Sequence, residues 1–76
     1  MEITVYTKQN CPACEATKKA MDRAGLNYEV IDVTDSAPRQ QALRACGFRS
    51  MPVVEVVDGE DYRSWEGFRP DLIKQL

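Results

Sequence analysis

Cys11 and Cys14 are separated by Pro12 and Ala13, where a β-like run gives way to a helix-like one. Thiols at that spacing can do one of three things. They can open and close a disulfide, supply half of a tetrahedral metal site, or sit unreactive in a core. On a helix, residues three apart share one side, with Cβ atoms roughly 5–6 Å apart. A disulfide prefers a Cβ separation near ~3.8 Å, so a first helical turn closes the bond with a small local shift. Reversible closure is what a redox pair requires.

Cys11 stands just ahead of Pro12, a residue that cannot continue a ladder but suits the first turn of a helix. Unpaired backbone N–H groups and about half a positive charge from the helix macrodipole favour a thiolate there. A cysteine so placed typically titrates well below the free value of about 8.5. Cys14, one turn further in, is better shielded and is the natural resolving thiol. In the expected reaction the Cys11 thiolate attacks a target disulfide to form a mixed disulfide. Cys14 then attacks the Cys11 sulfur, the reduced target leaves, and Cys11–Cys14 remains oxidised.

The metal reading has little to build on. Zinc wants four ligands, usually as two pairs or a pair plus histidines. This chain has three cysteines and no histidine, and Cys46 lies 32 positions beyond Cys14 without a companion. Two unreactive core thiols would leave the strand-to-helix placement unexplained. The redox reading is therefore preferred, and no metal is expected.

The elements that must hold the pair are legible on both sides of it. Ile3–Tyr6 is short, β-branched or aromatic, and reads as a strand. From Pro12 to Gly25, Ala13, Ala16, Thr17, Ala20, Met21 and Ala24 recur on one side at helical spacing. Glu15 precedes Lys19 by four residues, the favourable order for a helical ion pair, and Gly25 supplies the stop. Asn27–Val33 is a second strand, parallel to the first because a helix joins them. Asp35 or Ser36 caps a second helix, Pro38 fits its first turn and Gly47 ends it. Ala42, Leu43 and Cys46 share one face of that helix, so Cys46 is expected as a small buried apolar side chain.

Val53–Val57 is a third strand, Asp58-Gly59 is a strong hairpin signal, and Tyr62–Trp65 is the returning strand. "RPDLIKQL" starts a last helix too short to stand alone, so Leu72, Ile73 and Leu76 must dock on the sheet. The order is β-α-β-α-β-β-α. There is no repeat, linker or low-complexity tract.

Composition narrows the classes further. Seventy-six residues make one small domain, 1–76, near the lower size limit for a fold held by its core alone. After Met1 the chain reaches Glu2 and Thr4 at once, without a signal-peptide pattern. No apolar run approaches the roughly 20 residues that span a bilayer. The expectation is a soluble cytoplasmic protein with no membrane partner. Ten basic and twelve acidic residues, a formal charge of −2, form no basic stripe, so nucleic acid is not an expected partner. An odd cysteine count argues against a secreted disulfide framework.

Three segments together, "VYTKQNCPAC", "MPVVEV" and "WEGFRPDLI", resemble the NrdH-redoxins, glutaredoxin-like members of the thioredoxin superfamily. The resemblance covers essentially the whole chain. C-P-x-C alone marks only the superfamily. Trp65-Glu66-Gly67-Phe68-Arg69-Pro70-Asp71, set against the family's W-S-G-F-R-P-D, is far more specific. The resemblance implies an α/β, thioredoxin-like fold, a four-stranded mixed sheet flanked by three helices, in a monomer. It implies a dithiol–disulfide oxidoreductase with Cys11 as nucleophile and Cys14 as resolver and no bound cofactor. Electrons would come from NADPH through thioredoxin reductase and pass to the large subunit of class Ib ribonucleotide reductase.

Several further residues take roles from the same resemblance. Met51-Pro52 should be a cis bond facing the two cysteines, with the Met51 backbone open to an incoming peptide as a short added strand. Methionine departs from the small or β-branched residue often found before that proline. Pro12 and Ala13, between the cysteines, belong to the partner-facing surface. Lys8 matches the lysine of the family's Y-T-K segment, either supporting the thiolate or simply solvated. Trp65 is either core or part of a partner-facing patch, and Arg69 anchors the last helix by hydrogen bonds.

Glutathione marks the main alternative, a glutathione-dependent glutaredoxin or a general protein-disulfide reductant. Glutaredoxins that bind it usually carry a G-G-x-x-D-like segment where this chain reads "WEGFRPD", and often an aromatic residue between the cysteines. Only Gly67 and Asp71 survive here, with Arg69 between them. From a different class comes a metal or iron–sulfur module. The second thiol, Cys14, and the altered glutathione segment both count against it.

Overall fold

Ile3 and Val5 alternate with Thr4 and Tyr6, so the first strand, β1 (Glu2–Thr7), is built with two different faces. The computed structural model describes all 76 residues. After β1 come α1 (Pro12–Arg23), β2 (Glu29–Asp32), α2 (Ala37–Ala45), β3 (Val53–Asp58), β4 (Asp61–Glu66) and α3 (Pro70–Ile73). The strands form a single sheet in the order β2-β1-β3-β4. β1 and β2 are parallel, as a βαβ connection requires, while β3 and β4 run antiparallel to their neighbours. This is the thioredoxin-like arrangement, with a mixed sheet. No helix is long and apolar enough to cross a membrane.

Register sorts the strand residues into two sets. Val5 pairs with Val54 and Val54 with Trp65, while Ile3 pairs with Val56. These five and Met21 of α1 and Ile73 of α3 form the main core cluster. Ala20, Leu26, Tyr28, Leu72 and Leu76 pack around it, so the short last helix docks as its apolar residues require. The opposite face carries Thr4, Glu55 and Ser64 in one row and Tyr6, Val53 and Glu66 in the next. α2 has no buried residue at all.

Three expectations change in the folded chain. Cys46 is exposed, not buried. It caps the C-terminus of a helix that lies over a polar sheet face, so its stripe has no dry core to enter. Glu15 pairs with Lys18 at 2.9 Å, one residue earlier than Lys19 and still on the same helix side. The β3–β4 loop is Gly59-Glu60, because Asp58 and Asp61 are themselves paired. Gly59 takes φ +63°, a conformation tight hairpins need and glycine supplies without steric cost. Ser36 is the cap of α2, accepting from the Arg39 N–H, and Pro38 lies in its first turn.

Candidate active site

The loop Lys8-Gln9-Asn10 carries the chain from the end of β1 into α1. Asn10 takes φ +56°, a left-handed conformation that asparagine tolerates better than most residues. Gln9 donates its backbone N–H to Thr34 Oγ1 at 2.9 Å, which ties this loop to the segment after β2. Cys11 is then the N-cap of α1, with Pro12 in the first turn.

Cys11 and Cys14 are joined in a disulfide, with their Cα atoms 5.2 Å apart. Cys11 keeps 8 % of its surface exposed and Cys14 none. The Cys14 N–H donates to Cys11 Sγ at 3.1 Å. The sulfur thus occupies the place of a capping oxygen, and the same donor would face a thiolate once the bond is reduced. Thr17 is fully buried one turn on, and its hydroxyl donates to the Ala13 carbonyl at 2.8 Å.

Met51-Pro52 is cis, as the resemblance implied. Pro52 is buried and its carbonyl accepts from the Gly67 N–H at 2.8 Å, linking it to the segment after β4. Val53 pairs with Tyr6, so Pro52 lies at the same end of the sheet as the β1–α1 loop. Met51 is half-buried, and its own N–H and C=O make no hydrogen bond outside the ladders.

The remaining sequence candidates fall into two groups. Pro12 and Lys8 are exposed and Ala13 is half-buried, all at the disulfide end. Trp65 is a core residue, 7 % exposed, with an indole Nε1–H that finds no acceptor. Arg69 makes a two-pronged contact with Asp71, Nε to Oδ1 at 3.1 Å and Nη2 to Oδ2 at 2.9 Å. That contact holds the Asp71 carboxyl below its ordinary range and fastens the first turn of α3. Arg69 thus makes its hydrogen bonds at the start of α3.

Glu66, Gln40 and Thr34 also shape this end of the molecule and were not apparent from spacing. Glu66 Oε2 accepts from the backbone N–H groups of Arg49 and Ser50 at 2.7 and 2.8 Å. Those two bonds push the Glu66 carboxyl below its usual value and fix the loop that leads to Met51. Gln40 Nε2 donates to the carbonyls of Val33 and Thr34 at 2.7 and 3.1 Å. A signal for Glu66 did exist, since glutamate stands where the resembling family has serine. Gln40 and Thr34 act through backbone geometry that leaves no local mark in a sequence.

No group of three or more His, Cys, Asp or Glu side chains is gathered in a way that could hold a metal ion. What the geometry can do is thiol–disulfide exchange. A buried helix-capping disulfide at the end of a thioredoxin-like sheet defines a thiol–disulfide oxidoreductase.

Comparison with known proteins narrows that class. The glutaredoxin family model matches residues 3–61. The glutaredoxin-like protein NrdH of Escherichia coli K12 is 47% identical over 76 residues, covering 100% of this chain and 89% of the relative. Its counterpart in Salmonella typhimurium is 46% identical with the same coverage. The solved structure of the NrdH-redoxin from Escherichia coli superposes with a TM-score of 0.86 at 47% identity, covering 100% of this chain and 95% of that one. The chain belongs to the glutaredoxin family, among its NrdH-type, glutaredoxin-like members.

Proposed function

We propose that this protein is a cytoplasmic electron carrier that reduces class Ib ribonucleotide reductase at its large subunit. In this reading thioredoxin reductase recharges it at the expense of NADPH. The observation that carries the proposal is the helix-capping Cys11–Cys14 disulfide in a chain so similar to NrdH along its whole length. Support comes from the Escherichia coli relative, a glutaredoxin-like protein described as having a thioredoxin-like activity profile.

In the proposed cycle the Cys11 thiolate, facing the Cys14 N–H and the first turn of α1, attacks one sulfur of the target disulfide. The other target sulfur leaves as a thiolate. Met51 offers its N–H and C=O to the target backbone, holding the mixed disulfide as a short added strand. Cys14, fully buried one turn inward, attacks the Cys11 sulfur, and the second target sulfur leaves. Pro12, Ala13 and Lys8 form the rim around this exchange.

The test compares two sources of electrons for the oxidised protein. Rapid NADPH consumption with thioredoxin reductase is the expected result. If glutathione and its reductase recycle the protein well while thioredoxin reductase does not, the glutathione-dependent alternative replaces this reading.

A further inference from the structure

Beside the disulfide runs an open groove of about 340 Å³, between the β1–α1 loop, α2 and the segment leading to Met51. Lys8, Gln9 and Met51 line it, together with Arg44 and Arg49. No Asp or Glu is among the lining residues. That is unexpected in a chain whose acidic residues outnumber its basic ones, twelve to ten. The ion pairs of the molecule are Met1–Asp58, Glu15–Lys18 and Arg69–Asp71, so Lys8, Arg44 and Arg49 are all unpaired. Glu66 accepts from the backbone N–H groups of Arg49 and Ser50 and also feels the Arg49 charge, so Arg49 is partly offset while Lys8 and Arg44 have no such neighbour.

We infer that this groove selects protein targets whose disulfide is flanked by acidic residues in an extended segment. The inference rests on the thiol–disulfide reading above and adds a preference to it. Lys8, Arg44 and Arg49 around the groove complement carboxylates that flank the target cysteine, and they raise the encounter rate as well as the lifetime. The extended form follows from Met51, a lining residue whose N–H and C=O make no hydrogen bond outside the ladders and can hold a strand. A long polyanion is a poor occupant, because the cations form no continuous stripe and the whole chain is net negative. The electrons move as already described: Cys11 bonds to the target sulfur, Cys14 displaces it, and the protein is left oxidised.

The test uses the full chain, reduced chemically and freed of reductant, so that no reductase is involved. Its substrates are three cysteine peptides of equal length with glutamate, glutamine or lysine flanks, each carrying 2-thiopyridine on the cysteine. Attack on the peptide sulfur releases thiopyridone, which is followed by absorbance. The expected order is glutamate over glutamine over lysine, with the glutamate-to-glutamine rate ratio collapsing toward one in about 1 M salt, where the Debye length is about 3 Å. Arg44→Gln and Arg49→Gln should each lower that ratio by about two- to fivefold, the effect of one exposed ion pair. Because a ratio is read, a change in intrinsic thiol reactivity cancels. Equal rates for all three peptides, or a ratio untouched by both substitutions, would overturn the groove assignment and leave the redox function standing. A glutathione mixed disulfide reduced faster than every peptide, and slowed by the same substitutions, would overturn it in favour of the tripeptide. Failure to reduce any substrate would instead strike the thiol–disulfide reading on which the inference rests.

Discussion

The two faces of the sheet are built from the same strands and do different work. On the side of α1 and α3, Ile3, Val5, Val54, Val56 and Trp65 close against Met21 and Ile73. Little but hydrocarbon meets there, and burial of that surface is what holds so small a chain folded. On the side of α2, buried residues are confined to the disulfide end, at Val33 and Val53. Elsewhere that face shows Thr4, Glu55, Ser64, Tyr6 and Tyr62, with Tyr62 donating to Glu55 Oε2 at 2.7 Å. Hydrogen bonding to the Glu55 carboxylate holds both tyrosines above their ordinary range, with burial adding to it. One face supplies stability, and the other fastens loops by polar contacts and leaves a groove open. The disulfide sits where the two meet, at the end of β1.

The sharpest way to break this contrast is to truncate both sides. Met21→Ala and Trp65→Ala should each cost about 2–5 kcal/mol in urea unfolding, the usual range for large core truncations. Cys46→Ser and Tyr62→Phe should stay within about ±0.5 kcal/mol, as surface changes do. Equal losses on both sides would mean that the polar face is a second core.

Trp65→Phe refines the picture of the dry face. It removes an indole N–H that has no partner, so the lost contacts are offset by a lost desolvation penalty. Its cost in the same urea measurement should fall well below that of Trp65→Ala. A loss as large as the alanine variant's would show that the N–H is satisfied.

A smaller effect separates the faces by pH. Glu66 is held below its ordinary value of 4.5 by two backbone N–H groups. Its contribution to stability is therefore complete above that value and disappears as pH falls through the lower folded one. Glu66→Gln should lower Tm slightly near neutrality and flatten the wild-type loss on the acid side. On the other face Tyr28, half-buried beside the core and bonded to Asp22 at 2.8 Å, is pushed up to about 12 by desolvation and by that bond. Its contribution is complete below pH 10 and disappears as pH rises through about 12, which ultraviolet titration of Tyr28→Phe against wild type would isolate.

Much of the dry face could be read in the sequence. Ile3 and Val5 alternate with polar neighbours, and Met21 falls on the alanine stripe of α1, so period and pairing agree. The cysteine pair and its helix start were legible for the same local reason, since Pro12 fixes the first turn. The polar face was harder. Ala42, Leu43 and Cys46 make an apolar stripe on α2, but the stripe says nothing of what lies opposite. Glu55, in the middle of "VVEVV", was the clue that the opposing surface is polar. The groove was invisible because Lys8, Arg44 and Arg49 come from separate segments and meet only in the fold.

The division of labour between Cys11 and Cys14 is tested most directly by trapping. Reduced Cys14→Ser and Cys11→Ser variants would each be mixed with an oxidised protein substrate and resolved on a non-reducing gel. Cys11, at the helix cap with its edge exposed, should capture the target, so Cys14→Ser accumulates a stable mixed disulfide and Cys11→Ser forms none. The reverse pattern, capture through Cys14 in the Cys11→Ser variant, would contradict the assignment of Cys11 as the attacking thiol.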